Sequence, residues 1–292
     1  MLASISIVLL IAESAVAQTT TAPEPVAIDR ADEAAIAHAW RPVFQGIDRI
    51  DLAAETPRKL RGNALRIDTR APGIRFFVAP SNGDAPRECD SIKTSRFLEA
   101  HRLEAAINSA PFSPVLDAEG KPQDVIGVAV SDGELVSPPE EKFAAILITA
   151  DNRIRIVPQK KELDLSDVKN ACGGFDLLLV EGRVVGKPGV LHPRSAAGID
   201  KTGRYLYLLA IDGRQKDFSL GTSLEETALW IRKLGAWDAL NLDGGGSSSL
   251  VTADPSGKAA QVNRPIHKGI PGTERPCPNH LGIHAEPLPA RP

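Results

Sequence analysis

The sequence predicts an α+β fold, a single domain whose mixed, largely antiparallel β-sheet core carries a few packed helices. Three observations predict it. Short apolar runs alternate with Gly, Pro and Asn/Asp turn signals along most of the chain. Few segments show helical periodicity. No internal repeat breaks the chain into equivalent units. With 292 residues, 42% of them apolar, the chain has ample material for one large domain or two small ones.

Residues 1–17 read as an export signal. Ile5 to Ala12 is a short apolar core, and Ala15-Val16-Ala17 is a small-x-small cleavage site before Gln18, although no Lys or Arg precedes the core. That core is too short to span a bilayer. A periplasmic or secreted location is therefore expected. Residues 18–42 read as a linker with a short helix, Ala31 to Trp40, stopped at Trp40-Arg41-Pro42. The main domain is expected over residues 43–288.

Within it, Asn63 to Arg70 and Ile74 to Ala79 read as strands joined at Pro72-Gly73. Ser91 to Arg102 reads as a helix, then Ala105 to Asn108 as a brief strand. Val125 to Val130 and Phe143 to Thr149 follow as apolar strands. Asp151-Asn152 turns the chain into Ile154-Arg155-Ile156, and Glu181-Gly182 joins Phe175–Val180 to Arg183–Val185. Tyr205 to Ile211 is a strongly apolar strand ending in Asp212-Gly213-Arg214. Leu224 to Leu234 is a helix, with apolar residues at Leu224, Ala228, Leu229, Ile231 and Leu234. Ser223 and Glu226 make a capping box, and Gly235 ends the helix. Ala239 to Leu242 is the next strand. The strands flanking this helix could form a parallel βαβ crossover, right-handed if both share a sheet, which would bring Asp212 and Asp243 to one sheet edge, where ligands tend to bind.

Composition excludes several functions. The formal net charge is −3 with no basic run, and only 4% of residues are aromatic, so neither nucleic acid nor a membrane surface is an expected partner. The turn Gly244-Gly245-Gly246-Ser247 lacks the Lys-Ser/Thr ending of a nucleotide P-loop. No Gly-x-Ser-x-Gly elbow occurs. Three cysteines in an oxidising compartment would leave one pair and one thiol; three pairings are open, and Cys172–Cys277 is favoured. His280 and His284 share a strand face but stand too far apart for a metal ligand pair. No cofactor is expected; a divalent cation has no recognisable ligand loop to hold it.

The most telling run is Asn241-Leu242-Asp243-Gly244-Gly245-Gly246-Ser247-Ser248-Ser249. An apolar strand stops at a carboxylate, and three glycines and three hydroxyls follow. Glycines let another group approach the backbone closely, and successive N–H groups can form an anion-binding concavity. Read plainly, the run is a tight turn with solvated serines; three consecutive glycines cost more backbone entropy than such a turn requires. Elsewhere, Arg194 and Arg214 offer planar forks for a phosphate or carboxylate. His192 could be an acid or a phosphate ligand, and Asn108 could hold a sugar hydroxyl. Glu225, in the first helical turn, also suits the helix dipole. Arg264 and Arg275 bracket a Gly/Pro-rich loop placed to close over a ligand.

Taken together, these residues resemble the phosphodiester glycosidase family. The likeness runs through Ala106-Ile107-Asn108, His192-Pro193-Arg194-Ser195-Ala196-Ala197-Gly198, Asp212-Gly213-Arg214 and Gly221-Thr222-Ser223-Leu224-Glu225-Glu226. It continues through the Asp243 run, Asn263-Arg264-Pro265 and Glu274-Arg275-Pro276-Cys277-Pro278-Asn279-His280-Leu281-Gly282. Two departures stand out. Ser109-Ala110-Pro111-Phe112 replaces a Gly-rich aromatic turn, and Cys277 stands where the family usually has valine. The resemblance implies hydrolysis of a sugar C1–O bond to a phosphodiester, with a sugar-phosphate glycan or small glycosyl phosphodiester as partner. Asp243, Asp212 and Glu225 are the implied catalytic set, with nucleophile and base unassigned. Asn108, His192, Arg194, Arg214, Gly244, Gly245, Gly246, Ser247, Ser248, Arg264 and Arg275 are the implied substrate contacts. The departing phosphate monoester has a second pKa of about 6, so a strong general acid matters less than cationic donors around the phosphate. The alternatives are a non-catalytic binder of phosphorylated glycans and a structural envelope protein whose glycines only make turns.

Overall fold

A computed structural model of the chain describes residues 24–289. The expected export signal and the first residues of the expected linker lie outside the described residues. Most of the architecture is strand. The largest sheet has nine strands, of which Ile47–Ala54, Leu60–Asp68, Tyr205–Ile211, Arg194–Ile199, Asp238–Asn241 and Leu177–Val180 follow one another, all antiparallel. Val26–Ala27 adds at one edge in parallel with Leu52–Ala53. A second sheet contains Val168–Gly174 between Ala129–Ser131 and Ala144–Thr149, and a third contains Ala105–Asn108 between Leu250–Ala253 and His280–His284.

The three sheets share one core. Leu206 and Leu208 from the first, Ile146 and Ile148 from the second, and Ile107 and Leu281 from the third belong to a single buried cluster. The other face of the large sheet is also covered. Tyr207, Leu209 and Ile211 pack under Ile36 of helix Glu33–Ala39 and under Trp230, Ile231 and Leu234 of helix Leu224–Leu234. Successive residues of a strand point to opposite faces, so a strand covered on both sides is apolar throughout. That is why Tyr205–Ile211 reads as an unbroken apolar run.

The capping box is present: Ser223 Oγ accepts from Glu226 N, and the Glu226 carboxylate accepts from Ser223 N. Gly235 closes the helix at φ 120°. The buried stripe differs from the expected one, because Leu229 is exposed while Thr227 and Trp230 are buried. The second helix is shorter than expected, Thr94–His101. The short helix expected over Ala31 to Trp40 is present as Glu33–Ala39, capped by Asp32, and Arg41 and Pro42 continue into strand Arg41–Phe44, which pairs with Ile47–Ala54.

The two strands of the expected βαβ crossover share the large sheet, with one strand between them. Tyr205–Ile211 and Asp238–Asn241 run in the same direction, but Arg194–Ile199 lies between them, antiparallel to both. The expected disulfide is absent. Cys89, Cys172 and Cys277 are all free and buried, Cys172 in the shared core and Cys277 against Ser247 Oγ at 3.1 Å. His280 is buried in a strand and His284 faces Glu104, and among the described residues no group of His, Cys, Asp and Glu gathers as a metal site requires. Among them, too, no helix is long and apolar enough to cross a membrane.

Candidate active site

Strand Asp238–Asn241 ends in the glycine run, and the chain there is held from two sides. Leu242 N–H donates to Ser195 O, and Asp243 N–H donates to Ser109 O at 2.7 Å. Asn108 Nδ2 donates to Asp243 O at 2.6 Å, while Asn108 Oδ1 accepts from Ser195 Oγ and Ser249 N–H. One fully buried amide thus ties the large sheet, the third sheet and the glycine turn together. Asn108 is satisfied within the protein, and the expected sugar contact gives way to a clamp on Asp243.

Of the three amides of the expected cradle, that of Gly245 is held by backbone outside the turn. Gly245 N–H donates to Pro193 O, Ser247 N–H to Gly244 O and Ser248 N–H to Gly245 O. The first bond ties the turn to the segment before strand Arg194–Ile199, and the two serine amides close the turn itself. What the glycines provide is close approach. A Cβ on Gly244 would lie 2.9 Å from Pro193 O, and one on Gly245, at φ +63°, would lie 2.9 Å from Arg214 Nη2.

Above this turn opens a cleft of about 320 Å³ lined by Asp243, Gly244–Gly246, His192, Arg194, Arg214 and Arg275, with Asp176, Phe175 and Asn241 at its margin. Arg275 Nη2 donates to Asp243 Oδ2 at 3.1 Å. Arg275 Nε and Nη2 also hold Ser247 Oγ, and its guanidinium lies 5.3 Å from the Phe112 ring centroid. Burial raises the Asp243 carboxyl above its ordinary pKa, with Arg275, Ser247 and the Gly244 amide opposing the rise. Arg194 Nε and Nη2 donate to Thr222 O and Val190 O. Arg214 Nη2 meets His192 Nδ1 at 3.0 Å. A guanidinium only donates, so Nδ1 accepts and the neutral ring carries its proton on Nε2. Burial first, then the charges of Arg214 and Arg194, lower the His192 pKa and keep the ring neutral.

A larger cavity, about 730 Å³, lies beside helix Thr94–His101, but none of these arginines and neither Asp243 nor His192 reaches it. The chemistry is concentrated in the smaller cleft. The phosphodiester glycosidase family profile matches residues 101–284, which include every lining residue of that cleft.

The chain belongs to the phosphodiester glycosidase family. The fold agrees with solved structures of low identity. The zebrafish N-acetylglucosamine-1-phosphodiester α-N-acetylglucosaminidase catalytic domain, auto-inhibited by its pro-peptide, is 22% identical, with 84% of this chain and 85% of that one covered and a TM-score of 0.60. A hypothetical protein from Synechocystis is 16% identical at a TM-score of 0.58; 84% of this chain is covered, and the chain spans only 64% of that protein. A Burkholderia pseudomallei protein named as exported is 18% identical at a TM-score of 0.56, with 79% and 75% covered. No curated protein sequence matches the chain.

Several residues expected in the phosphodiester glycosidase site lie elsewhere. Asp212 is buried and turned away from the cleft; its Oδ1 accepts from Asn263 Nδ2 and Arg264 N–H, which anchors the segment after strand Leu250–Ala253. Arg264 is exposed beside the Phe218 ring. Glu225 is exposed at the helix start, while Glu226 takes the ion pair with Arg58. Ser247 is a support for Arg275, and Ser248 is buried with its hydroxyl unpaired. Sequence reasoning missed Asp176, whose only signal is its place before strand Leu177–Val180, and Asn241, which precedes Asp243 by two residues in the same run.

The position of Asp212 has a consequence for stability. Burial pushes its carboxyl from 3.8 up to about 7. Between those values the native state holds a proton that the unfolded chain has lost, so stability falls as pH rises through this interval. Asp212→Asn mimics the protonated form. It is expected to flatten the fall in melting temperature between about pH 4 and about pH 7; an unchanged slope assigns that fall to another group.

Proposed function

We propose that the protein hydrolyses the C1–O bond of glycosyl phosphodiesters and acts as an exported enzyme on envelope or extracellular glycans. The observation that carries this reading is the convergence of Arg194, Arg214 and Arg275 on one cleft around the buried carboxyl of Asp243. The arginines hold the phosphate, where charge develops as the bond breaks. Asp243 faces the anomeric carbon as nucleophile or as base for water. The C1–O electron pair leaves with the phosphate oxygen and the water hydroxyl ends on C1. A phosphate monoester departs without a strong general acid. That suits a cleft whose histidine, His192, is kept neutral by burial and by its arginines.

A substrate panel tests the proposal. Glycosyl phosphodiesters are expected to yield free sugar and a phosphate monoester, whereas aryl glycosides lacking phosphate yield no product under the same conditions. Binding of the phosphodiesters with no product from any of them would leave a phosphorylated-glycan binder in place of a hydrolase.

A further inference from the structure

One margin of the cleft carries acceptors that the proposed chemistry has not used. It is built from strand Asp238–Asn241 and the segment that enters strand Leu177–Val180. Leu177 pairs with Leu240, and both side chains pack into the core shared by the three sheets. Successive residues face opposite ways, so Asp176 and Asn241 take the other face, as Asp243 does. Backbone bonds hold that register: Asn241 N–H donates to Asp176 O at 2.8 Å and Phe175 N–H to Asn241 O at 2.7 Å. On its other flank Asn241 pairs with Ala196, whose small side chain leaves room there. Ala239, on this same face, is buried in the cluster under helix Leu224–Leu234, whereas Asp176, Asn241 and Asp243 line the cleft.

The acceptors of this row are uncommitted. Asn241 is 2% exposed, and its Nδ2 donates to Leu242 O at 2.9 Å. A carbonyl only accepts, so the amide nitrogen faces Leu242 and Oδ1 is left with no donor of the protein on it. Asp176 is exposed. The ion pair of this cleft is Arg275 with Asp243, and among the described residues Asp176 belongs to none. Its charge is felt at Arg194, where burial lowers the guanidinium pKa, Asp176 opposes that fall and Arg214 adds to it. Arg194 nevertheless spends Nε and Nη2 on Thr222 O and Val190 O. The cleft is therefore polarised. Arg214 lies against Gly245 and Arg275 against Gly246, while the strand side of Asp243 presents acceptors.

A phosphodiester anion also offers only acceptor oxygens, so this margin cannot hold it; sugar hydroxyls are donors. We infer that Asp176 is the sugar-recognising residue of this cleft, its carboxylate accepting from a hydroxyl on the side of the ring away from C1. The inference rests on the glycosyl phosphodiester reading above and fixes which way round the substrate lies, with phosphate over the glycine turn and sugar over Asn241. Asp176 stands one strand spacing across (about 5 Å) and two residues along (about 7 Å) from Asp243. A hexose with C1 at Asp243 spans that offset.

The test uses methyl esters of the C-glycosyl phosphonates of glucose, galactose, mannose and N-acetylglucosamine, which resist hydrolysis, with methyl ethylphosphonate as the sugar-free comparator. In NMR titrations the wild type is expected to bind one of the glycosyl phosphonates about tenfold more tightly than the comparator, or better. Asp176→Ala is expected to lose about tenfold on that ligand. It should bind methyl ethylphosphonate as well as before or more tightly, because a negative charge near Arg194 has gone. Deleting the contacted hydroxyl from the ligand costs the wild type about the same factor and the variant nothing, a coupling that a double-mutant cycle reads directly. Thermal unfolding checks the fold of the variant, whose backbone bond to Asn241 does not depend on the side chain. An equal change on both ligands makes Asp176 a counter-ion of Arg194 and overturns the inference. No change on either overturns it too, as does a wild type with no preference for a sugar-bearing ligand. Turnover in the substrate panel with an Asp176→Ala variant indifferent to the sugar removes this inference and leaves the hydrolase reading. Sugar-selective loss of binding without turnover does the reverse.

Discussion

Asp243→Asn is expected to lower kcat on a glycosyl phosphodiester about a thousandfold while leaving KM unchanged or lower. The substitution keeps the size of the side chain and an oxygen for Arg275 Nη2, which sits 3.1 Å from the carboxylate. It removes the group that would attack C1 or take the proton from water. It also removes the one negative charge paired with Arg275, so the cleft becomes more cationic and grips a phosphate at least as well. The split between kcat and KM is the informative part. If Asp243 only braced Arg275, its loss would loosen the phosphate grip and KM would rise with little change in kcat. Thermal unfolding of the same variant checks that the buried ion pair has not taken the fold with it, since breaking such a pair can cost several kcal/mol. A variant that keeps a tenth or more of wild-type turnover removes Asp243 from the chemistry.

Much of this site was legible because the chemistry is written locally. Asp243, the three glycines, His192, Arg194, Arg214 and Arg275 lie in short polar segments at the ends of apolar strands, and strand ends are where a sheet places them together. What sequence did not disclose was direction. Asp212 ends its strand as Asp243 does, and the two strands run the same way, yet the Asp212 carboxylate is captured by Asn263 and by the backbone of Arg264. That capture joins residues 51 or more positions apart and has no local pattern. Asn108 was misread for the same reason: a buried amide and a ligand-binding amide look alike until their partners are known.

The fold shows a similar divide. Strands covered on both faces, such as Tyr205–Ile211, and the capped helix Leu224–Leu234 stood out by apolar density and by the Ser223–Glu226 pattern. Two central strands did not. Arg194–Ile199 is built of Ser, Ala and Gly, which have weak strand preference, and its place between two antiparallel neighbours is what makes it a strand. Ile47–Ala54 carries three charged residues that hide its alternation. Asp48 pairs with Arg66, Asp51 pairs with Arg41 and Arg49, and so the polar face is satisfied across strands. Tertiary pairing overrode propensity in both.

Asn108→Ala is expected to be the most disruptive single change outside the cleft, affecting stability and catalysis together. Removing the amide leaves Asp243 O, Ser195 Oγ and Ser249 N–H without their partner at a position with 0% exposure. Each stranded group costs roughly 1 kcal/mol or more, so the loss is about 3 kcal/mol, read as a lower denaturant midpoint at unchanged m-value. Asp243 also loses the bond that holds its carbonyl, and a small displacement of a reacting group lowers kcat steeply. Asn108→Asp separates the two effects. It keeps the acceptor for Ser249 N–H but sets a second oxygen against the Asp243 carbonyl, 2.6 Å from the present nitrogen. Repulsion there is relieved when the new carboxyl is protonated, so this variant should regain stability as pH falls. If Asn108 instead served a sugar hydroxyl, both substitutions would raise KM with the denaturant midpoint unmoved. Stability, kcat and pH response moving together would mark it as the clamp that aims Asp243.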